Sequence, residues 1–188
     1  MNRERVAELV KELLIEIGED PAREGLERTP ERVAESLAML TSGYGEDPAE
    51  ISGGATFECE LNNMIIAHNI EVYSMCEHHM LPFFGRCHIG YVSKERIMGV
   101  SKLARIADCY ARRLQNQERM TTQIAMAVME AAGAQGVGVV IECRHLCMMM
   151  RGVEKQNSVM TTSSILGTFR SDPTTRQEFL SLIARQHD

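Results

Sequence analysis

The segment "MCEHHMLPF", residues 75–83, places one cysteine and two histidines within four positions and then stops at a proline. Thiolate and imidazole groups are ligands that zinc prefers, but Cys76, His78 and His79 alone cannot close a tetrahedral site. Taken by itself, the segment is more typical of a loop with exposed polar side chains. A metal site here therefore requires further ligands from another part of the chain.

A second histidine and cysteine lie in "ECRHLCMMMRG", residues 142–152, at the end of the apolar segment "GVGVVIEC". His145 and Cys147 stand two positions apart, so their side chains point the same way if the backbone is extended. Two strand ends of one sheet would bring both groups together. Two cysteines, one histidine and an open position are typical of catalytic zinc, where bound water becomes hydroxide near neutral pH. Five candidates for three or four ligand positions also leave histidines free for proton transfer.

The segment "GVSKLARIADCYARRLQNQER", residues 99–119, carries groups that suit an anion. Ser101 is predicted to cap a helix, with Lys102 and Arg105 in its first turns, so backbone N–H groups and cations would face a phosphate. Arg151 follows the second cysteine and histidine pair closely and can reach the same anion.

The distribution of charge supports a small anionic ligand. Residues 86–119 hold eight Lys or Arg against three acids, whereas residues 1–60 hold six Lys or Arg against 15 acids. A basic middle within an acidic chain suits a compact anion such as a phosphate ester, and it argues against general nucleic-acid binding. A basic helix face that is merely solvated stays an alternative.

Gln117 and Glu118 begin the next predicted helix. A carboxylate can accept two hydrogen bonds from a ring N–H and an exocyclic amine, which is the edge that guanine presents. Glu118 is equally explained as an acid that interacts with the helix dipole. On these residues alone the second interpretation is the stronger one.

The elements that must position these groups follow an α+β pattern with antiparallel pairs of strands. Apolar spacing and capping signals predict three N-terminal helices: Val6–Ile17 ended by Gly18, a short one after Asp20-Pro21, and one from Thr29-Pro30 to about Leu40. The segment "SGYGEDPAEISGG", residues 42–54, is predicted to be a linker. The later elements are a strand over Met64–Ser74, a strand on which Phe83, Cys87, Ile89 and Tyr91 alternate, helices from Ser101 to about Leu114 and from Glu118 to Ala132, paired strands over 136–143 and 159–169, and a helix after Asp172-Pro173.

Length and composition are those of one globular domain, or of a core with a small appendage. The 188 residues include no run of 18 apolar residues, and the start lacks the apolar block of a signal peptide. The six cysteines show no disulfide framework. We therefore expect a cytoplasmic protein that binds neither a membrane nor nucleic acid.

Four long motifs together carry a resemblance to a known family. These are "SMCEHHMLPFFGRCHIGYV", "GVSKLARIADCYARRLQNQERMTTQIA", "GVGVVIECRHLCMMMRGVEKQNS" and "LGTFRSDPTTRQEFL". They resemble GTP cyclohydrolase I of the zinc-dependent, folate-pathway type, and the resemblance spans about residues 5–185. The segment "IGEDPAREGLERTPERVAESLAML" also resembles the helical extension of this family.

The resemblance implies a hydrolase that acts on a cyclic amidine. GTP and water would give formate and 7,8-dihydroneopterin triphosphate through attack of zinc-activated water on C8, opening of the imidazole, rearrangement of the ribose and ring closure. By matching motifs, the resemblance assigns the zinc ligands Cys76, His79 and Cys147, the acid/base histidines His78 and His145, the guanine contacts Gln117 and Glu118, and the triphosphate contacts Ser101, Lys102, Arg105 and Arg151. Ser101 is counted among the catalytic residues.

The implied architecture is the tunnelling fold, an antiparallel sheet with helices on one side. It would comprise a helical extension over residues 1–50 and a catalytic domain over residues 51–188, assembled as a decamer of two stacked pentamers. There are two alternative functions: a related tunnelling-fold enzyme that acts on a purine or pterin, and a non-catalytic domain with structural zinc. The alternative assembly is a monomer or dimer. The sequence does not indicate the downstream pathway, nucleotide feedback or a regulatory partner.

Three residues depart from the pattern of the family. Asn116 replaces an apolar residue common before "QER", and Val159 replaces a lysine common after "NS". Arg144 stands where relatives vary and often carry an acidic or small residue. None of the three is itself a proposed catalytic group.

Overall fold

The computed structural model describes residues 1–53, 56–58 and 63–184. The chain divides into two compact units, Met1–Ser42 and Gly43–Asp188. The boundary that the sequence placed at residue 50, between an extension and a catalytic domain, stays a prediction.

The first unit contains two of the three predicted helices, α1 (Arg3–Glu16) and α2 (Thr29–Leu40). The short helix predicted after Asp20-Pro21 is wrong, because the segment forms turns. The Asp20 side chain does accept a hydrogen bond from the Ala22 backbone N–H, so the capping signal is real. Gly25 lies four residues beyond Pro21, and glycine disfavours continuation of a helix by about 1 kcal/mol relative to alanine.

The second unit mixes helices and strands, which confirms the α+β class. Its helices are a short 3₁₀ helix (Ser42–Gly45), α3 (Pro48–Ser52), α4 (Val100–Ala111), α5 (Gln117–Ala132), α6 (Leu146–Met149), α7 (Thr168–Ser171) and α8 (Pro173–Ala184). Its strands are β1 (Thr56–Glu58), β2 (Met64–Cys76), β3 (Pro82–Val92), β4 (Arg96–Met98), β5 (Leu114–Gln115), β6 (Gly136–His145) and β7 (Met160–Gly167). The predicted linker is therefore partly helical, and its last residue, Gly54, lies outside the described residues.

Five of these strands form one sheet in the order β5-β2-β3-β6-β7. The pairs β2–β3 and β6–β7 are antiparallel, as predicted, and β3 also pairs antiparallel with β6. The sequence did not predict β5, which pairs in parallel with only the last two residues of β2. Strands β1 and β4 form a separate antiparallel pair.

One face of the sheet packs against the two long helices. The predicted alternation on β3 is confirmed, because Phe83, Cys87, Ile89 and Tyr91 are all buried in the same apolar cluster as residues of α4 and α5. Alternate residues of a strand point to opposite faces. This face therefore holds the main core of the second unit.

The last two helices, of which the sequence predicted the one after Asp172-Pro173, cover part of the opposite face. Phe169 of α7 and Phe179 of α8 pack together with Val140. Their rings lie so close to Gly90 and Gly138 that a Cβ atom at either glycine would come within 3.0 Å of an aromatic carbon. Glycine at these two positions lets the helices sit directly on the sheet.

The register places both chemistry-bearing segments at one end of the sheet. Met75 pairs with Pro82 across the β2–β3 hairpin, and Phe83 pairs with His145 on β6.

The described residues contain no helix that is long and apolar enough to cross a membrane.

Candidate metal centre and nucleotide site

A tight turn between β2 and β3 brings Cys76 and His79 together. The Cys76 carbonyl accepts hydrogen bonds from the backbone N–H groups of His79 and Met80, at 3.4 and 2.8 Å. Met80 takes a left-handed conformation with φ of 53°. A residue other than glycine in this conformation costs about 1 kcal/mol or more, and such strain is concentrated at functional sites.

Cys147 reaches the same place from a short helix and not from an extended strand. Strand β6 ends at His145, and Cys147 lies in the first turn of α6. The expectation that His145 and Cys147 point the same way along a strand is therefore wrong. The change of backbone geometry after His145 gives the two side chains different partners.

Cys76, His79 and Cys147 form a cluster that can hold a metal ion, with their ligand atoms all within 4.8 Å of one another. The Cys76 sulfur lies 3.9 Å from Nδ1 of His79. Tetrahedral zinc with its usual bond lengths separates a sulfur and a nitrogen ligand by about 3.6 Å, so the donor set and its spacing both fit zinc.

The Cys147 thiol is a poor acid without a cation. Burial, followed by the neighbouring Cys76, raises the pKa of the Cys147 thiol, while Arg151 opposes the shift. A metal ion reverses this balance, because thiolate is the form that coordinates.

His78 and His145 lie beside the cluster in different environments. Nδ1 of His78 is 3.8 Å from the Cys76 sulfur, but 66% of its side chain is exposed. The ring of His145 is half-buried and stacks on Phe83, with 4.5 Å between ring centroids and planes 6° apart. Burial lowers the pKa of His145, and the Glu118 carboxylate opposes the shift. Phe83 is a site residue that sequence reasoning missed, although its cross-strand pairing with His145 follows from the register.

Gln117 and Glu118 lie side by side at the start of α5 but face different surroundings. Glu118 is exposed, whereas Gln117 is buried. The Gln117 side chain lies 2.8 Å from Nε2 of His145. The structure therefore brings Gln117 to His145, and the role in guanine binding that the sequence predicted for Gln117 stays a prediction.

A polar network that the sequence did not predict joins the metal-binding turn to α5. Glu77 is ion-paired with Arg119 and accepts a hydrogen bond from the Asn116 side chain. The pKa of Glu77 is lowered, chiefly by its hydrogen bond from Arg119. Asn116 also caps α5 by accepting a hydrogen bond from the Arg119 backbone N–H at 2.8 Å. The unusual residue before "QER" thus has a structural role, and its capping side chain is the signal that could have indicated it.

Arg144 and Val159, the other two departures, are exposed and line one shallow surface pocket beside Tyr73 and Phe84. Nothing in the structure explains either residue.

Arg151 contacts the metal cluster directly. Its guanidinium lies 2.9 Å from Nε2 of His79, the ring nitrogen that does not face the Cys76 sulfur. The Arg151 side chain is exposed to solvent beside the cluster, and its role in binding an anion stays a prediction.

Ser101, Lys102 and Arg105 are not brought to the cluster within one chain. Helix α4 begins at Val100 with Gly99 as its cap, so Ser101 does not cap it as predicted. Ser101 and Arg105 are exposed, and Lys102 is partly exposed. Among the described residues, no hydrogen bond or ion pair engages these three side chains.

The start of α4 lies at the opposite end of the sheet from the cluster. The backbone N–H of Met98, three residues before Ser101, donates to the Tyr91 hydroxyl at 2.9 Å. Tyr91 is eight residues along β3 from Phe83, which stacks on His145, and eight extended residues span about 26 Å. The segment after α4 returns to the metal end, where Leu114 pairs with Met75.

Comparison with known proteins decides the family. A family model described as GTP cyclohydrolase I matches residues 6–184. The chain belongs to the GTP cyclohydrolase I family. This is a family of enzymes, and the arrangement of sheet and helices is consistent with its tunnelling fold.

Relatives of this family match over almost their whole length. A "GTP cyclohydrolase 1" of Coxiella burnetii is 57% identical over 180 residues, which cover 96% of this chain and 98% of the relative. A "GTP cyclohydrolase 1" of Leptospira biflexa is 57% identical over 175 residues, covering 93% and 96%. A solved structure of archaeosine synthase QueF-Like in the apo form is 11% identical with a TM-score of 0.48, and the match covers 57% of this chain and 97% of that chain. This last likeness is too weak to add to the assignment.

Proposed function

We propose that this chain converts GTP and water to formate and 7,8-dihydroneopterin triphosphate. The observation that carries the proposal is the cluster of Cys76, His79 and Cys147, with ligand atoms within 4.8 Å, in a chain of the GTP cyclohydrolase I family. The stacked His145 beside this cluster adds a group for proton transfer.

The residues of the cluster would hold one zinc ion. Two sulfurs and one imidazole nitrogen match the ligands that zinc prefers, and three protein ligands leave a coordination position open. When bound, zinc supplies a Lewis acid that lowers the pKa of water and so provides a nucleophile for C8 of the purine. Nδ1 of His79 faces the Cys76 sulfur, so it is the ring nitrogen placed to bind the ion.

His78 and His145 would move the protons of the reaction. Opening of the imidazole ring requires a proton at a departing nitrogen, and addition of water requires that a proton be taken up. His145 suits the uptake, because burial lowers its pKa and keeps the ring neutral as a base. His78 is exposed at the mouth of the turn and can exchange protons with solvent.

Glu118 would bind the guanine edge. Its carboxylate is exposed and lies near enough to His145 to influence the pKa of that ring. A carboxylate that accepts from the ring N–H and the exocyclic amine of guanine would meet an acceptor at the ring nitrogen of adenine. Gln117 is next to Glu118 in the chain and would contribute to the shape of this pocket.

Ser101, Lys102, Arg105 and Arg151 would bind the triphosphate, with the first three supplied by a neighbouring chain. The separation of about 26 Å along β3 supports this arrangement, because one chain presents the metal cluster and the start of α4 at opposite ends of its sheet. The free side chains at the start of α4 are available for an anion held by another subunit.

The assembly proposed from the family resemblance is a decamer of two stacked pentamers. Among the described residues, β7 has one strand neighbour, and β5 covers only Met75 and Cys76 of β2. Open edges of this kind invite pairing with another chain, and a closed ring satisfies both edges of every subunit.

Incubation of the purified zinc-loaded protein with GTP tests the proposed reaction. We expect equal amounts of formate and of a product with pterin absorbance, and no such products from ATP. Zinc bound without any formate release would favour a structural metal site. Formation of a different purine or pterin product would favour another tunnelling-fold activity.

A further inference from the structure

The orientation of the Gln117 side chain is fixed by its surroundings. The side chain is 1% exposed. Its Nε2 lies 3.0 Å from the Ile141 carbonyl oxygen, 2.9 Å from the Met160 carbonyl oxygen and 3.1 Å from Oγ1 of Thr162. Carbonyl oxygens only accept hydrogen bonds, so the NH₂ end of the amide must face them. The oxygen end therefore faces His145, whose Nε2 is 2.8 Å away.

A chain of hydroxyl groups gives the same orientation independently. Oγ1 of Thr121 lies 2.6 Å from the Gln117 backbone carbonyl oxygen, so Thr121 must donate there. Its oxygen then accepts from Thr162, 2.7 Å away. With its only hydrogen used, Thr162 can only accept from Nε2 of Gln117, whose two hydrogens are shared among this hydroxyl and the two carbonyl oxygens. The hydrogen bonds thus run in one direction around a closed ring that begins and ends at Gln117.

This orientation determines which nitrogen of His145 carries the hydrogen. The Gln117 oxygen can only accept, so Nε2 of the neutral His145 ring must be the donor. Stacking on Phe83, with planes 6° apart, holds the ring in the plane in which Nε2 meets the Gln117 side chain.

We propose that Gln117 is a positioning residue that holds His145 in the Nε2–H tautomer, with Nδ1 as the nitrogen that takes up and returns the proton. A proton accepted at Nδ1 makes the ring cationic and leaves the Nε2–H bond to Gln117 in place. The same proton can then be given to a departing nitrogen, which restores the neutral ring. The predicted effect on catalysis rests on the proposed function, whereas the assignment of the tautomer does not.

This role differs from direct recognition of guanine. The side chain of Gln117 is turned into the protein, whereas Glu118 beside it is exposed. Loss of a guanine contact would mainly weaken substrate binding. Loss of a residue that acts through His145 would mainly slow the chemical step.

Nitrogen-15 NMR of the zinc-loaded protein, labelled at histidine, tests the tautomer of His145 in the wild-type chain. The His145 signals are identified by their absence in His145→Ala. We expect the chemical shift of a protonated ring nitrogen at Nε2 and that of an unprotonated nitrogen at Nδ1. The reverse pattern would overturn the inference, whether or not the protein acts on GTP.

A double-mutant cycle tests the coupling to catalysis. Gln117→Met keeps the length of the side chain and removes both hydrogen-bonding ends. We expect kcat with GTP to fall by about 10- to 100-fold, the usual cost of losing a group that orients an active residue, while KM changes less than about twofold. In the His145→Ala background the same substitution should have no further effect on kcat.

Gln115→Met is the matched control for this cycle. Gln115 is also buried, and its amide is bonded to the Tyr110 carbonyl, the Gln123 side chain and the Arg119 guanidinium. Among the described residues, it makes no hydrogen bond to His145. Its effect should multiply with that of His145→Ala. Equal non-additivity for Gln115, or a rise in KM as the main effect of Gln117→Met, would contradict the inference. A wild-type protein that releases no formate from GTP would instead refute the proposed function.

Discussion

The metal cluster and the residues expected at the phosphates differ in how far one chain assembles them. The ligand atoms of Cys76, His79 and Cys147 lie within 4.8 Å of one another in a single subunit. Lys102 and Arg105 lie on a helix that begins at the other end of the same sheet, and their side chains have no partner among the described residues. The candidate metal ligands are thus brought together within one chain, whereas the residues expected at the phosphates are not brought to them.

Topology explains the difference. Strands β2 and β6 flank β3 and both run antiparallel to it, so the turns that follow β2 and β6 lie at the same end of the sheet. Helix α4 connects the far end of the sheet to the metal end, since it starts near Tyr91 and the chain then returns to pair with Met75. A helix of 12 residues spans about 18 Å, which keeps its first turn away from the cluster.

Removal of a metal ligand should have the largest effect. Cys147→Ala leaves two protein ligands, and we expect loss of bound zinc and a fall in activity of more than about 100-fold, since even loss of a group that supports a ligand costs 10- to 100-fold. Metal analysis and formate release measure the two effects. Cys143→Ala is the control, because this buried cysteine of β6 is not in the cluster and should leave one zinc per chain. Full zinc content in Cys147→Ala would break the assignment.

Removal of the acid/base histidines should separate activity from metal content. We expect His78→Ala and His145→Ala to keep most of the zinc and to lose at least about 100-fold in rate, the usual scale for a general acid or base. Zinc loss in His145→Ala as severe as in Cys147→Ala would mean that His145 is a ligand.

Base selection should depend on Glu118, at the boundary between the two parts of the site. The mismatch between its carboxylate and the ring nitrogen of adenine should give about 10⁴-fold discrimination against ATP in kcat/KM. Glu118→Ala should lose most of this preference together with most of the activity on GTP. Comparable turnover of GTP and ATP by the unchanged protein would contradict the guanine assignment.

Removal of a single side chain that contacts the phosphates should have the smallest effect on substrate binding. Lys102→Ala is expected to reduce the preference for GTP over GMP by about tenfold, the scale of one charged hydrogen bond, and to weaken the dependence of KM on ionic strength. Arg112→Ala removes a similar charge at the other end of α4 and should leave the preference unchanged. Equal KM values for GTP and GMP in the unchanged protein would contradict the proposed phosphate site.

Patterns that depend on local spacing predicted most of the fold. The alternation on β3, the apolar strand β6 and the proline at the start of α8 all appear where the sequence placed them. Helix-capping residues, whose effect depends on the residues around them, were less informative. Asp20 forms its capping hydrogen bond without a following helix, and Gly99 takes the cap that Ser101 was expected to form.

The candidate site was predicted as a set of residue types but not as a geometry. The second cysteine and histidine pair does bring Cys147 to the cluster, although the chain turns into α6 after His145. The orientation of Gln117 depends on carbonyl oxygens of β6 and β7, which only the tertiary structure brings together. The tie between Glu77 and Arg119 likewise joins segments about 40 residues apart, a distance that local patterns do not reach.

Mixed oligomers test most directly whether the two parts of the site come from different chains. Cys147→Ala and the charge-reversed double variant Lys102→Glu/Arg105→Glu are co-expressed with different tags, and species that carry both tags are purified. Each parent variant alone should be inactive. Random assembly should then restore activity to about a quarter of the wild-type level, because one site in four combines two intact halves. An inactive mixed oligomer, or a fully active wild-type species near 21.1 kDa in light scattering, would contradict a shared site.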